Sequence, residues 1–119
     1  MVVGLNIQEQ DVNGVKVLRL EGRLDAISSN LLEKKMQELL HHLHVHCILD
    51  FTKVAYLSSA GMRLLLSMTK KMKQEEGMLA ICSMHDDVME IIRMAGFERI
   101  LAIYPLEKEA IAAILSQKN

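Results

Sequence analysis

Among its 119 residues the sequence has no tryptophan, two phenylalanines, two tyrosines, one proline and two cysteines. With so few aromatic side chains, the large core-filling residues have to be Leu, Ile and Met. Cys47 and Cys82 each sit inside an apolar run and form no CxxC pair. That placement predicts two reduced core thiols in a cytosolic protein, and neither a disulfide framework nor a thiolate metal site. Charge of one sign is also lacking. Lys and Arg number 14, Asp and Glu 15, and the formal net charge is −1. Such a balance offers no electrostatic basis for nucleic-acid binding or for a polybasic membrane anchor. No apolar run is long enough for a membrane span. The opening MVVGLNIQEQDVNG has neither a basic n-region nor a long apolar h-region, so no signal peptide is expected. There is no linker, internal repeat or low-complexity segment.

What is present suits one domain spanning residues 1–119, and half of the chain is hydrophobic. Leu5, Ile7 and Glu9 begin an alternating stretch, and Val15, Val17, Leu18 and Leu20 return after Asn13-Gly14. That dipeptide tolerates positive φ at both positions, which predicts an antiparallel hairpin. Glu21 to Asp25 reads as a break. Asn30 and Glu33 have capping-box spacing, and Leu32, Met36, Leu39, Leu40 and Leu43 recur at helical spacing, so a helix is expected over about 30–44. His46 to Phe51 reads as a short buried strand. Leu65, Leu66, Met68 and Met72 fit a second helix, with Gly77 as its C-cap.

Met78 to Cys82 is a continuous apolar run of the central-strand type. Asp86 or Asp87 can cap a third helix that runs through Met94, with Gly96 past its end. Ile100 to Tyr104 suits a short strand. Pro105 precedes a fourth helix with Ala110, Ile111, Ile114 and Leu115 as its buried stripe. Helix-linked strands lie parallel. The expected fold is therefore α/β: a mixed sheet with an N-terminal antiparallel hairpin, parallel helix-linked strands and about four helices. The 46–51 and 78–82 runs should be neighbours at its centre.

Three stretches carry candidate chemistry. HHLHVH, positions 41–46, has imidazoles at i,i+3 and i,i+4 spacing, but HExxH is absent and no further ligand accompanies them. The expectation is a solvated helix end whose histidines complement the dipole, with no metal. Seven methionines lie between Met62 and Met94. In a chain this poor in aromatics they read as core filler, with one or two left at an interface.

The third stretch is YLSSAGMR, positions 56–63. It lacks the first glycine of a hydrolase GxSxG elbow, and the glycines and lysine of a phosphate-cradling loop. A serine at a helix start caps an unpaired N–H, worth about 1 kcal/mol. One cap needs one serine. If Ser58 caps, the Ser59 hydroxyl is left free at the positive end of the helix. A phosphate there is tolerated by the fold and adds roughly −1.5 to −2 charge to the patch.

Asp50-Phe51-Thr52-Lys53-Val54-Ala55-Tyr56-Leu57-Ser58-Ser59-Ala60-Gly61-Met62-Arg63 resembles the signature of bacterial anti-sigma factor antagonists, the STAS-domain family. Gly22-Arg23-Leu24-Asp25 looks like the family's G-x-L-D tetrapeptide. Met94-Ala95-Gly96-Phe97 looks like the ending of its third helix, and the element order matches over nearly the whole chain. The resemblance implies a non-enzymatic switch with no catalytic residue and no cofactor. Its unphosphorylated form binds an anti-sigma factor serine kinase and frees the sigma factor. Phosphorylation abolishes binding, and a serine phosphatase restores it.

Matched by position, the acceptor falls on Ser59, and the partner-binding surface on Asp25, Ser58, Ser59, Ala60, Gly61, Met62 and Arg63. The resemblance implies no direct nucleic-acid contact, no membrane and a cytoplasmic setting. Three departures bear on the partner. Ser58 stands where several members have Asp, Ala60 where they have Ser or Thr, and Arg23 where many have Glu. The alternatives are a stand-alone STAS scaffold of a transporter or lipid-transport complex, and a serine hydrolase.

Overall fold

Asn13 and Gly14 turn the chain with φ of 54° and 81°. They join strand β1 (Leu5–Val12) to β2 (Val15–Leu24), paired antiparallel from Val12↔Val15 to Leu5↔Gly22. The structure, a computed structural model, describes residues 4–117. After the hairpin come α1 (Ala26–His41), β3 (His46–Leu57), α2 (Ser59–Gln74), β4 (Met78–Cys82), α3 (Asp86–Ala95), β5 (Ala102–Tyr104) and α4 (Glu107–Gln117). The strands form one sheet in the order β1-β2-β3-β4-β5, and every pair after the hairpin is parallel. The expected mixed α/β sheet is therefore present. Its two continuous apolar runs are central neighbours, paired from His46↔Met78 to Asp50↔Cys82.

Several boundaries differ from expectation. β2 does not break at Glu21 but continues to Leu24. It shifts register against β3 between Arg19 and Glu21 and again between Gly22 and Arg23. Gly22 has φ 124°, which glycine alone adopts without strain, so the glycine marks an irregularity inside a strand and not its end. β3 likewise passes Phe51 and runs to Leu57, because Val54 and Leu57 continue to bury on the core side. At the end of α2 the left-handed position is taken by Glu76, φ 62°. Gly77 instead allows close approach: a Cβ there would lie 2.0 Å from the Val45 carbonyl oxygen. Asp86 and Asp87 lie in the first turn of α3, whose N-cap is His85. Gly96 does close that helix, at φ 81°.

Alternation along each strand divides the core between two faces of the sheet. Leu18, Leu20, Leu49, Phe51, Leu79 and Ile81 face one way, with Leu32 and Met36 of α1, Leu65, Met68 and Met72 of α2, and Val88 and Ile92 of α3. Val15, Val17, Ile48, Ala80 and Cys82 face the other, under Ala110, Ile111 and Ile114 of α4. Leu115, expected in that stripe, is 38% exposed. Met36, Met68 and Met72 are fully buried filler, whereas Met94 is 81% exposed.

Arg19 closes the open part of the α4 face. Its Nη1 lies 2.9 Å from Asp50 Oδ2 and 2.6 Å from Glu107 Oε1, and its Nε donates to Gln10 Oε1 at 2.8 Å. One guanidinium thus ties β1, β2, β3 and α4 together, and its partners push its pKa further up.

Candidate functional site

β2 and β3 end together. Leu24 and Leu57 are register partners, and the residue after each caps a helix. Asp25 is the N-cap of α1, so that helix starts earlier than the expected Asn30. Asp25 Oδ1 accepts the N–H groups of Ile27 at 3.1 Å and Ser28 at 2.9 Å. Ser28 Oγ in turn accepts the Asp25 N–H at 2.9 Å and donates to the Arg23 carbonyl at 2.6 Å. This is a reciprocal capping box with serine at the third helical position. Ser28 is buried inside this box, and Ser29, also buried, donates its hydroxyl to the Asp25 carbonyl. The Ser28 N–H first, and then its hydroxyl, hold the Asp25 carboxyl below the usual carboxylate range.

α2 starts from the neighbouring position. Ser58 is its N-cap, with Oγ accepting the Gly61 N–H at 3.1 Å. The Ser58 N–H donates to the Leu24 carbonyl at 2.9 Å, which fixes the α2 start against the end of β2. Ser59 is the first residue of the helix and is exposed. Ala60 is half-buried and Arg63 exposed. Gly61 and Met62, which the resemblance placed in the contact surface, are buried. A Cβ at Gly61 would lie 2.8 Å from the Leu24 carbonyl oxygen and 2.9 Å from Leu24 Cγ and Leu57 Cδ1. The space that glycine leaves is filled from inside the protein. Its role is to let the helix sit down on the strand ends and so to position Ser59.

Two helix N-termini thereby open at the C-terminal ends of β2 and β3, capped by Asp25 and Ser58. Both contribute positive partial charge there. Beside them, Arg23 and Tyr56 are register partners on β2 and β3. The guanidinium carbon of Arg23 lies 4.2 Å from the centre of the Tyr56 ring, a cation–π contact at the rim of the site. Sequence reasoning noted Arg23 only as a departure and missed this stack. Counting alternate positions fails across the register shifts of β2, which decide which face each residue takes.

The other candidates lie elsewhere. α1 ends at His41, and His41, His42 and His44 are exposed, the first two edge-to-face at 5.3 Å. His46 already belongs to β3. Among the described residues no three His, Cys, Asp or Glu side chains come together as a metal site would require. His85, the histidine outside that cluster, has Nε2 2.6 Å from the Thr52 carbonyl oxygen, and Ser58 Oγ is held by the Gly61 backbone. No helix among the described residues is long and apolar enough to cross a membrane.

Comparison with known proteins matches the STAS domain family model over residues 6–110. The anti-sigma F factor antagonist of Paenibacillus polymyxa is 26% identical over 113 residues, 94% of this chain and 97% of that one. The crystal structure of an anti-sigma factor antagonist from Mycobacterium paratuberculosis superposes with a TM-score of 0.84 at 20% identity, covering 94% of this chain and 95% of that one. The phosphorylated form of the Bacillus cell fate determinant SpoIIAA superposes at 0.69 with 19% identity, covering 92% of this chain and 99% of that one.

Proposed function

The chain belongs to the STAS domain family, and on that premise we propose that it is an anti-sigma factor antagonist switched at Ser59. In this reading the unphosphorylated chain binds an anti-sigma factor that is also a serine kinase. Its sigma factor is freed. The kinase phosphorylates Ser59, the complex separates, and a serine phosphatase returns the chain to its binding form. The chain acts by binding and catalyses nothing itself, in the cytoplasm. The relative's name in Paenibacillus polymyxa and the phosphorylated state in which SpoIIAA was solved both support it.

The observation that carries the reading is how the two adjacent serines differ. Ser58 is occupied as the cap of α2, while Ser59 is exposed in the first turn with Gly61 seating the helix behind it. A phosphate on Ser59 adds charge at a helix end that favours anions, so the fold accepts it and a partner in contact does not. Asp25, Ala60 and Arg63 share the surface, and Met62 underlies it. The test incubates the full chain, Ser58→Ala and Ser59→Ala with the anti-sigma factor kinase and ATP, and maps the phosphate by mass spectrometry. Phosphate on Ser59 in the first two and none in the third is expected. Phosphate on Ser58 of the unaltered chain, or an equally labelled Ser59→Ala, overturns the assignment.

A further inference from the structure

β1 is an edge strand of eight residues with an unbroken ladder on one side. Natural edges are blunted by proline, charged side chains (lysine above all), bulges or a covering element; the charges of β1, Glu9 and Asp11, are paired within the chain by Lys16 and Lys35. β1, LNIQEQDV, contains no proline, no lysine and no register shift against β2. Its hydrogen-bond phase follows from one contact. The Arg23 N–H donates to the Gly4 carbonyl at 3.0 Å, and the register places Gly4 in line with Asn6, Gln8 and Gln10 as residues that bond inward to β2. The N–H and C=O groups of Leu5, Ile7, Glu9 and Asp11 therefore point outward from the sheet.

We propose that two copies of this chain associate through β1, paired antiparallel about a two-fold axis at Gln8, into one continuous sheet. That axis sets Ile7 opposite Glu9 of the second copy and Leu5 opposite Asp11. Each of the four outward residues then meets another outward residue, so every exposed backbone group of the edge is paired. An axis midway between two residues would set outward groups against inward ones, and an axis at Ile7 or Glu9 would leave Asp11 or Leu5 of each copy without a partner in β1.

The side chains fit a second copy of the chain. Asn6, Gln8 and Gln10 occupy the face away from Leu5 and Ile7, and an amide both donates and accepts, so this row is complementary to its own inverse. Asn6 falls opposite Gln10, whose Oε1 is already held by Arg19 and whose NH₂ remains to donate. On the other face a groove of about 430 Å³ runs between β1 and α1, lined by Leu5, Ile7 and Leu31, with Lys34, Lys35, Glu9 and Glu38 among its rim. Two-fold symmetry inverts this mixed-sign rim onto itself. Glu9 is neutralised within its own chain by Lys35 at 2.6 Å and Lys16 at 3.1 Å, so the centre of the interface carries little repulsion. The formal net charge of −1 leaves little long-range repulsion between copies.

The proposal stands apart from the Ser59 reading, because β1 lies at the sheet edge and the serines at the strand ends. Sedimentation velocity of the full chain from micromolar to about 0.5 mM reads the association directly. The unaltered chain is expected to pass from monomer to dimer across this range. Gln8→Lys and Gln8→Glu each set two like charges opposite one another at the axis, and each is expected to weaken dimerisation about ten-fold or more. An equimolar mixture of the two should recover it, with opposite charges now facing. Thermal unfolding of each variant checks that the monomer is intact. An unaltered chain that stays monomeric throughout overturns the proposal, as do variants that dimerise like the parent. A mixture that stays monomeric overturns the axis at Gln8.

Discussion

The backbone N–H of Ser58 donates to the carbonyl of Leu24 at 2.9 Å. This bond joins the last residue of β2 to the cap of the helix that follows β3. It is made by main chain alone, so alanine or aspartate at 58 or 59 leaves it in place. Substitutions at the two serines therefore separate cap, hydroxyl and charge within one backbone frame.

Ser58→Ala leaves the Gly61 N–H without its acceptor. The expected loss is about 1 kcal/mol, read as a lower urea midpoint with an unchanged slope. The variant should still accept phosphate on Ser59.

Ser59→Asp places an anion in the first turn of α2, where the helix dipole favours it by about 0.3–1 kcal/mol. Thermal unfolding should match or exceed that of the parent. Titration calorimetry against the kinase should show binding lost, whereas Ser59→Ala binds and resists phosphorylation. A Ser59→Asp chain that binds like the parent would remove charge as the basis of the switch.

Gly61→Ala tests packing against propensity. Alanine is the better helix former by about 1 kcal/mol, so propensity alone predicts a gain. The new Cβ would instead press on Leu24 and Leu57 at 2.8–2.9 Å. The expected result is destabilisation by about 1–3 kcal/mol, as for other overpacked sites. A variant that melts higher than the parent would contradict the packing account.

Three carboxyls set the acid limb of stability. Glu9 is held low by Lys35 and then Lys16, and Asp25 by the Ser28 N–H and then its hydroxyl. At Asp50 burial pushes upward, but the Thr52 hydroxyl and N–H together with Arg19 outweigh it and the carboxyl lies low. A depressed carboxyl contributes stability that is full above its unfolded value, about 4, and that is lost as pH falls through the folded value. The urea midpoint should be level down to about pH 5 and fall below about pH 4. Asp50→Asn should make that fall shallower.

Both thiols are buried, on opposite faces of the sheet. Burial pushes Cys47 up to about 12 and Cys82 up to about 11. Neither should react with a thiol reagent at pH 8 in the folded chain, and both should react at once in denaturant. Rapid labelling of the native protein would contradict this.

The features legible in the sequence were those that a few adjacent residues decide. Asn13-Gly14 made the hairpin, the unalternating runs at 46 and 78 made the central strands, and Gly96 closed α3. What escaped depended on distant partners. Gly22 reads as a break because its neighbours do not show that β3 runs alongside and demands two register shifts. Asp25 reads as part of that break because its capping-box partner at the third helical position is Ser28 and not the usual Glu or Gln. Gly77 has the composition of a helix stop, but its reason is Val45, thirty-two positions earlier. At the site, the cap at Ser58 and the exposure of Ser59 were legible from local pattern. The burial of Gly61 against Leu24, and the Arg23–Tyr56 stack, exist only once β2 and β3 are side by side.

Two helices begin where two neighbouring strands end, and one main-chain bond ties the second cap, Ser58, to Leu24, the residue before the first. The consequence is one of timescale. An anion added at Ser59 would meet backbone dipoles already aimed at it, so no loop would have to reorder and no strand to slide. A switch built this way has no slow conformational gate. If Ser59 is the switch proposed above, its response time would be set by adding and removing the phosphate and by the escape of the partner.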